Sequence, residues 1–168
     1  METEKQLIEE AQRLSGLFFD EADTIEAARR VPADLSKLMA EAGFYRLGVP
    51  QEVGGLEAPP RLSSEIFEIL AQGDASCAWV AFIGTTSGAA LGNVSKEVGR
   101  QILASPTTML TGVFAPTGRA DLTDEGFRVS GRWQWGSGSQ NADWILGGCM
   151  LTKNGEPILD RAGNPANH

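Results

Sequence analysis

The sequence predicts an α+β protein, with an all-α domain over residues 1–105 and the first strands of an antiparallel β domain over residues 106–168. Two changes of pattern along the chain predict this. Apolar residues recur at helical spacing through the first half, and they alternate with polar residues at 127–135, as in a strand with one buried face. Proline and glycine separate these segments at positions where helices and strands end.

The first two predicted helices are amphipathic. In the first helix, the apolar residues Leu7, Ile8, Ala11, Leu14 and Phe18 follow helical spacing, with Glu and Gln between them. Pro32 opens the second helix, where its missing N–H costs little. Gly43 ends that helix, as glycine in a left-handed conformation does. The stretch 47–60 is rich in proline and glycine and is therefore predicted to be a loop.

Three more helices complete the first half. The third helix presents Leu62, Ile66, Ile69 and Leu70 on one face. The fourth covers about 75–91, carries no charged side chain and has Asp74 in position to cap it. A short fifth helix follows the cap residue Ser95 and ends near Ala104. The fourth helix contains too much glycine, serine and threonine for a simple membrane span, so we predict a buried helix and no membrane.

The second half has the pattern of strands. A short apolar run, Met109 to Phe114, predicts the first strand, and the alternation over 127–135 predicts the second, after a turn at 124–126. Trp144 to Leu151 reads as a third strand, followed by an Asn154-Gly155 turn. So few strands are only marginally stable alone. We therefore expect the second domain to be incomplete in this chain.

Composition and charge exclude several function classes. The net charge of −8 gives no basic face for nucleic acid. The first fifteen residues carry several glutamates and no basic start of a signal peptide, so we expect a cytoplasmic protein. His168 is the only histidine and Cys77 and Cys149 lie far apart. No metal site and no Ser-His-Asp triad are therefore expected.

Two stretches have the composition of a ligand site. Residues 114–120 follow a predicted strand and offer backbone N–H groups, a Thr hydroxyl and an Arg, although a plain hairpin connection has the same composition. Residues 131–139 place Trp133 and Trp135 on one strand face before a Gly/Ser turn. Trp135 beside hydroxyls and backbone donors suits a flat heteroaromatic ligand. The alternative is a Trp-rich core strand followed by a hairpin.

Both stretches resemble the acyl-CoA dehydrogenase superfamily, whose members have a helical N-terminal domain, a β-barrel-like middle domain and a C-terminal helical bundle. In that superfamily a Trp-x-Thr/Ser motif packs against the flavin ring, and it matches Trp135, Gly136 and Ser137 here. The segments 42–55 and 73–79 are also similar. The resemblance covers about residues 5–155 and implies that the bundle is absent from this chain.

The stretch 115–120 decides which branch of the superfamily the chain resembles. Acyl-CoA dehydrogenases carry Thr-Glu-Pro and a Gly-Ser-Asp run, whereas this chain reads Ala-Pro-Thr-Gly-Arg-Ala. It looks more like the oxygenase component of two-component flavin-dependent monooxygenases, which hydroxylate aromatic compounds with O2 and reduced FMN or FAD. This resemblance implies a catalytic Ser137 near flavin N5. It implies that the residues contacting the cofactor are Phe114, Pro116, Thr117, Trp135, Gly136 and Ser137, and that those contacting the substrate are Trp79 and Phe82.

The resemblance also implies partners and leaves alternatives open. A flavin reductase would supply the reduced flavin, the substrate would be a small molecule, and the full-length protein would form a homotetramer. An acyl-CoA dehydrogenase that uses oxidised FAD is one alternative. A catalytically inactive fragment or protein-interaction remnant is another.

Overall fold

The computed structural model describes residues 2–167, so His168 lies outside the described residues. Helices come first in the chain and strands follow. The helices are α1 (Glu2–Asp20), α2 (Ala22–Ala28), α3 (Ala33–Glu41), α4 (Pro60–Gly73), α5 (Ala75–Ala89) and α6 (Lys96–Ile102). The strands are β1 (Leu110–Thr123), β2 (Gly126–Ser130), β3 (Trp144–Lys153) and β4 (Glu156–Pro157). The predicted α+β fold class is confirmed.

The chain divides into two compact units. The helical unit comprises Met1–Thr111 and Ser137–Trp144, and the β unit comprises Gly112–Gly136 and Ile145–His168. The segment 137–144 therefore belongs to the helical unit, although its position in the sequence places it among the strands.

The five predicted helices and their end signals are present. Asp74 Oδ1 accepts a hydrogen bond from the Cys77 N–H at 2.8 Å and caps α5. Ser95 Oγ accepts from the Val98 N–H at 3.3 Å and caps α6. Gly43 has a φ of 80° after α3, as expected of a glycine that ends a helix. The short helix α2 was not predicted, because its seven residues are too few to show a clear apolar stripe.

The core of the helical unit is formed by apolar side chains from all four of its longer helices. α1 packs on α4, and α4 packs on α5. The largest fully buried side chains of this core include Phe18, Met39, Phe44, Ile66 and Leu70. Phe18, Met39, Ile66 and Leu70 occupy positions that helical spacing assigns to the inner faces of the helices, whereas Phe44 follows the end of α3.

Helix α5 is the most apolar element of the chain. By length and composition alone, the segment Ala75–Asn93 could cross a membrane, but half of it is buried inside the protein. A Cβ at Gly84 would lie 2.5 Å from Cδ1 of Tyr45, so the helix approaches its neighbour too closely to carry a side chain there.

The strands form one open sheet in the order β2-β1-β3-β4. β1 pairs with β2 and β3 pairs with β4, both antiparallel. The predicted turn at 154–155 is confirmed, with positive φ at both Asn154 and Gly155. The sheet is open and not a closed barrel, as expected of a chain that contains only the first strands of a β-barrel-like domain.

Strand β1 is longer than predicted. Residues 115–120, expected to be a loop after the strand, lie inside β1. Pro116, which has no N–H to donate, precedes the part of β1 that pairs with β2, because that pairing begins at Arg119.

Strand β2 is shorter than predicted and has no buried face. It ends at Ser130, so the alternation through Trp133 and Trp135 does not mark a continuous strand. Phe127 and Val129 are 51% and 57% exposed. The prediction of one buried face was wrong because nothing within residues 2–167 covers either face of β2.

We expect Gly84→Ala to destabilise the protein by about 1–3 kcal/mol, the usual cost of overpacking a well-packed core. The matched control is Gly16→Ala in α1, where a Cβ would meet nothing within 4 Å. Gly16→Ala should stabilise by about 0.5–1 kcal/mol, because alanine is the better helix former. The measurement is urea unfolding followed by circular dichroism. Equal effects of the two changes would contradict the close packing of α5.

Candidate functional site

A groove crosses the β unit between β1 and the segment that follows β2. It has a volume of about 500 Å³ and is open to solvent. The residues that line it are Gly112, Val113, Ala115, Thr117, Arg132, Gln134 and Trp135. The groove thus combines small strand residues on one wall with a polar and aromatic wall opposite.

Strand alternation explains which residues of β1 reach the groove. Successive side chains of a strand point to opposite faces, so Val113, Ala115 and Thr117 share one face. Phe114 and Pro116 occupy the other face and do not line the groove, although both are exposed.

Trp135 has an unusual backbone conformation. Its φ is 64°, in the left-handed region that bulky residues rarely adopt, and its side chain is 92% exposed. A left-handed conformation costs a non-glycine residue about 1–2 kcal/mol. Strain of this kind is concentrated at functional sites. The indole is therefore exposed to solvent at the groove. The energetic cost of its left-handed backbone is not offset by burial of the ring.

Trp133 lies in a different environment, although the sequence predicts both tryptophans on one face. Its indole N–H donates to the Gly148 carbonyl at 2.8 Å. A Cβ at Gly118, Gly131 or Gly147 would lie within 3 Å of the indole ring, so these glycines make room for it. Trp133 is therefore a packing residue. The left-handed turn of the backbone at Trp135 ends the alternation that would have paired the two rings.

Ser137 begins a turn that belongs to the helical unit. Its carbonyl accepts a hydrogen bond from Oγ1 of Thr111, which is fully buried. The turn closes where the Asn141 N–H donates to the Gly138 carbonyl at 2.9 Å. The Ser137 side chain is half-buried.

Trp79 and Phe82 form an exposed aromatic cluster on α5. Their ring centroids are 5.3 Å apart and the rings are stacked with an angle of 23° between their planes. Phe67 of α4 meets Phe82 edge-on at 5.6 Å. Trp79 is 52% and Phe82 37% exposed, so the cluster presents an apolar surface to a ligand or partner.

The structure brings together some of the predicted site residues and separates others. Thr117 and Trp135 line one groove, and Trp79 and Phe82 are in contact. Phe114 and Pro116 lie on the opposite face of β1. Gly136 and Ser137 follow Trp135 in the chain, with Gly136 in the β unit and Ser137 in the helical unit.

Sequence reasoning missed two residues of the groove. Arg132 and Gln134 both line it, and they contribute a cationic and an amide group. The signal was available in the alternation of residues 131–135, because it places Arg132 and Gln134 together, opposite to Trp133.

The buried thiols do not add a reactive group. Burial raises the pKa of the Cys77 thiol well above its usual range, which holds it as an unreactive thiol. Cys149 is also buried. Among residues 2–167, no three His, Cys, Asp or Glu side chains are grouped so that they could hold a metal ion.

Comparison with known proteins gives one family and a consistent set of relatives. Residues 1–105 match the family described as acyl-CoA dehydrogenase, N-terminal domain. The chain is 31% identical over 88% of its length to the flavin-dependent monooxygenase, oxygenase subunit HsaA, of Rhodococcus jostii, of which it covers 40%. It is 36% identical over 75% of its length to an indole-3-acetate monooxygenase of Acinetobacter baumannii, of which it covers 32%.

A solved structure shares the fold over nearly the whole chain. XiaF from a Streptomyces species, crystallised with FADH2 and glycerol, matches with a TM-score of 0.85 and 26% sequence identity over 94% of this chain. The match covers 40% of XiaF. This chain therefore spans less than half the length of each of these three relatives.

We expect Trp133→Phe to destabilise the protein more than Trp135→Gly does. Trp133→Phe removes the hydrogen bond to Gly148 and should lower the free energy of unfolding by about 1–3 kcal/mol, because a half-buried carbonyl loses its partner. Trp135→Gly relieves the left-handed strain and removes an exposed ring. This change should leave the free energy of unfolding within about 1 kcal/mol of the parent value.

Urea unfolding of the two variants, followed by far-ultraviolet circular dichroism, measures both effects. If Trp135→Gly were as destabilising as Trp133→Phe, Trp135 would be a packing residue. That result would contradict the view that its strained backbone serves ligand binding.

Proposed function

This chain belongs to the acyl-CoA dehydrogenase family through its N-terminal domain, and from that premise we propose that it forms part of the flavin site of a monooxygenase that hydroxylates a small aromatic substrate. The single observation that carries the proposal is Trp135. Its exposed indole is held in a strained backbone at the edge of a groove, and the adjacent Gly136 and Ser137 complete the Trp-x-Ser motif.

The groove residues fit a flavin by size and by chemistry. A volume of about 500 Å³ lies within the range of roughly 300–1,000 Å³ that small-molecule sites occupy. The isoalloxazine ring is flat with one polar edge. Trp135 offers a face for stacking, and Thr117, Arg132 and Gln134 offer hydrogen-bond donors for a polar edge or a negative charge.

Each residue has a distinct role in this proposal. Reduced flavin, when bound, supplies the activation of O2, which no side chain can perform. Trp135 packs against the ring and excludes water from one side of it. Thr117 and Arg132 orient the polar edge. The Ser137 hydroxyl holds a hydrogen bond at flavin N5.

The names of the relatives favour a monooxygenase over a dehydrogenase. HsaA and the indole-3-acetate monooxygenase are flavin-dependent or substrate-named monooxygenases, and XiaF was solved in complex with FADH2. The family match to acyl-CoA dehydrogenase leaves the dehydrogenase as the second candidate.

The remaining parts of the proposal concern substrate and partners. The stacked rings of Trp79 and Phe82 are an apolar surface suited to an aromatic substrate. We propose a flavin reductase as the source of reduced FMN or FAD, a homotetramer for the full-length protein, and a cytoplasmic location.

Trp135→Ala in the full-length protein should weaken the binding of reduced flavin about tenfold, because a stacked aromatic pair contributes about 0.5–1.5 kcal/mol beyond area burial. Flavin fluorescence and anaerobic titration with FMN and FAD, each reduced and oxidised, measure this affinity. The matched control is Phe19→Ala, which removes another exposed aromatic side chain, on α1.

The same titration separates the candidate functions. Tighter binding of the reduced form supports the monooxygenase, and tighter binding of oxidised FAD supports the dehydrogenase. No flavin binding by the unmutated full-length protein would overturn both.

Ser137→Ala should uncouple oxygen consumption from hydroxylation. Loss of one hydrogen bond of about 1 kcal/mol predicts a roughly fivefold rise in the ratio of hydrogen peroxide to hydroxylated product. Ser139→Ala, an exposed serine of the same turn, is the control. Product and peroxide are quantified in the same reaction with the reductase. An unchanged ratio would remove Ser137 from the site.

A further inference from the structure

We propose that Thr111 is a positioning residue for Ser137 and that Asp143 fixes the other end of the same turn, so that the flavin-facing hydroxyl is in place before the cofactor arrives. This inference rests on the proposed function, because it concerns how Ser137 is held for flavin. It assigns a role to two residues that contact neither the groove nor the aromatic cluster.

Thr111 holds Ser137, the first residue of the turn, by a hydrogen bond. It is fully buried at the start of β1, and its hydroxyl donates to the Ser137 carbonyl, 26 residues away in sequence. A buried hydroxyl held by a strand has little freedom, so the carbonyl that it bonds is fixed as well. The position of the Ser137 backbone therefore depends directly on Thr111.

Asp143 fixes the end of the turn through Met109. Its Oδ2 accepts a hydrogen bond from the Met109 N–H at 2.9 Å. Its own N–H donates to the Met109 carbonyl at 2.9 Å. Met109 is 1% exposed, so both backbone groups of a buried residue are satisfied by Asp143. The turn is thus held at both ends by consecutive parts of one segment, 109–111.

The middle of the turn packs closely against the helical core. Gly138 has a φ of 77°, and a Cβ there would lie 2.7 Å from Cε of Met109. The Asn141 amide group donates to the Val31 carbonyl at 3.2 Å. The turn is therefore attached to the helical core at Gly138 and at Asn141.

The Ser137 hydroxyl differs from the rest of this turn. Within residues 2–167 it has no hydrogen bond of its own, while the carbonyl of the same residue is held. A fixed backbone with a free hydroxyl is the arrangement expected of a preorganised ligand contact, because the cost of ordering it is met during folding.

A double-mutant cycle on the full-length protein tests the proposal. Thr111→Val removes the hydroxyl and should weaken binding of reduced flavin about fivefold, the effect of one hydrogen bond. Thr111→Ser keeps the hydroxyl and should restore binding to within about twofold. In the Ser137→Ala background, Thr111→Val should change the affinity by less than about twofold, because its effect passes through Ser137.

Hydrogen exchange gives a readout that needs no flavin. Thr111→Val should speed exchange of the Asn141 amide about tenfold, because the turn opens more often once its first residue is released. The Cys77 amide, bonded to Asp74 at the N-terminal cap of α5, is the internal control and should exchange at the parent rate.

The outcomes separate this inference from the function on which it rests. A fully additive effect of Thr111→Val in the Ser137→Ala background would show that Thr111 does not act through Ser137. An unchanged Asn141 exchange rate would show that Thr111 does not hold the turn. Thr111→Val could accelerate Asn141 exchange while the parent protein binds no flavin in either redox state. That result would support Thr111 as the anchor of the turn and overturn its role in flavin binding.

Discussion

The close approach of α5 to the segment 44–50 is the contact on which the rest of the helical unit depends. Gly84 leaves room for the Tyr45 ring, and Thr85 Oγ1 donates to the Phe44 carbonyl at 2.6 Å. A helix without charged side chains can be enclosed in this way without burying an unpaired charge. The same helix also supports the turn after Ser137, because Val80 and Ile83 lie 3.9 Å from the Cβ position of Gly138.

Buried polar groups connect this core to the start of β1. The Tyr45 hydroxyl and Ser36 Oγ are 2.7 Å apart, and burial raises the pKa of the Tyr45 phenol, so it remains a neutral hydrogen-bonding group. Arg46 donates to the carbonyls of Gly54, Leu103 and Ser105. It thereby ties the end of α6 and the segment leading into β1 to the loop after α3. The helical core fixes the chain a few residues before Thr111.

The two tryptophans of the β unit have different roles, Trp133 in packing and, as we propose, Trp135 in ligand binding. Trp133 fills space left by glycines and satisfies its N–H, which is what a stable sheet needs. Trp135 has a strained backbone and an exposed ring, which no requirement of packing explains. Strain at a ligand contact is tolerated because the surrounding structure holds it. A stabilising change at Trp135 is therefore expected to weaken the site.

The sequence by itself determined the features that depend on neighbours a few residues away. Helical spacing, the caps at Asp74 and Ser95, and the turn at Asn154-Gly155 are set by local hydrogen bonds and dihedral preferences. The motif at 135–137 likewise indicated the family from the sequence. Only the tertiary structure decided where β2 ends, which tryptophan packs against the sheet, and that residues 137–144 belong to the helical unit. Those outcomes depend on partners such as Thr111 and Met109, tens of residues away, and the alternation of a strand carries no information about such distant contacts.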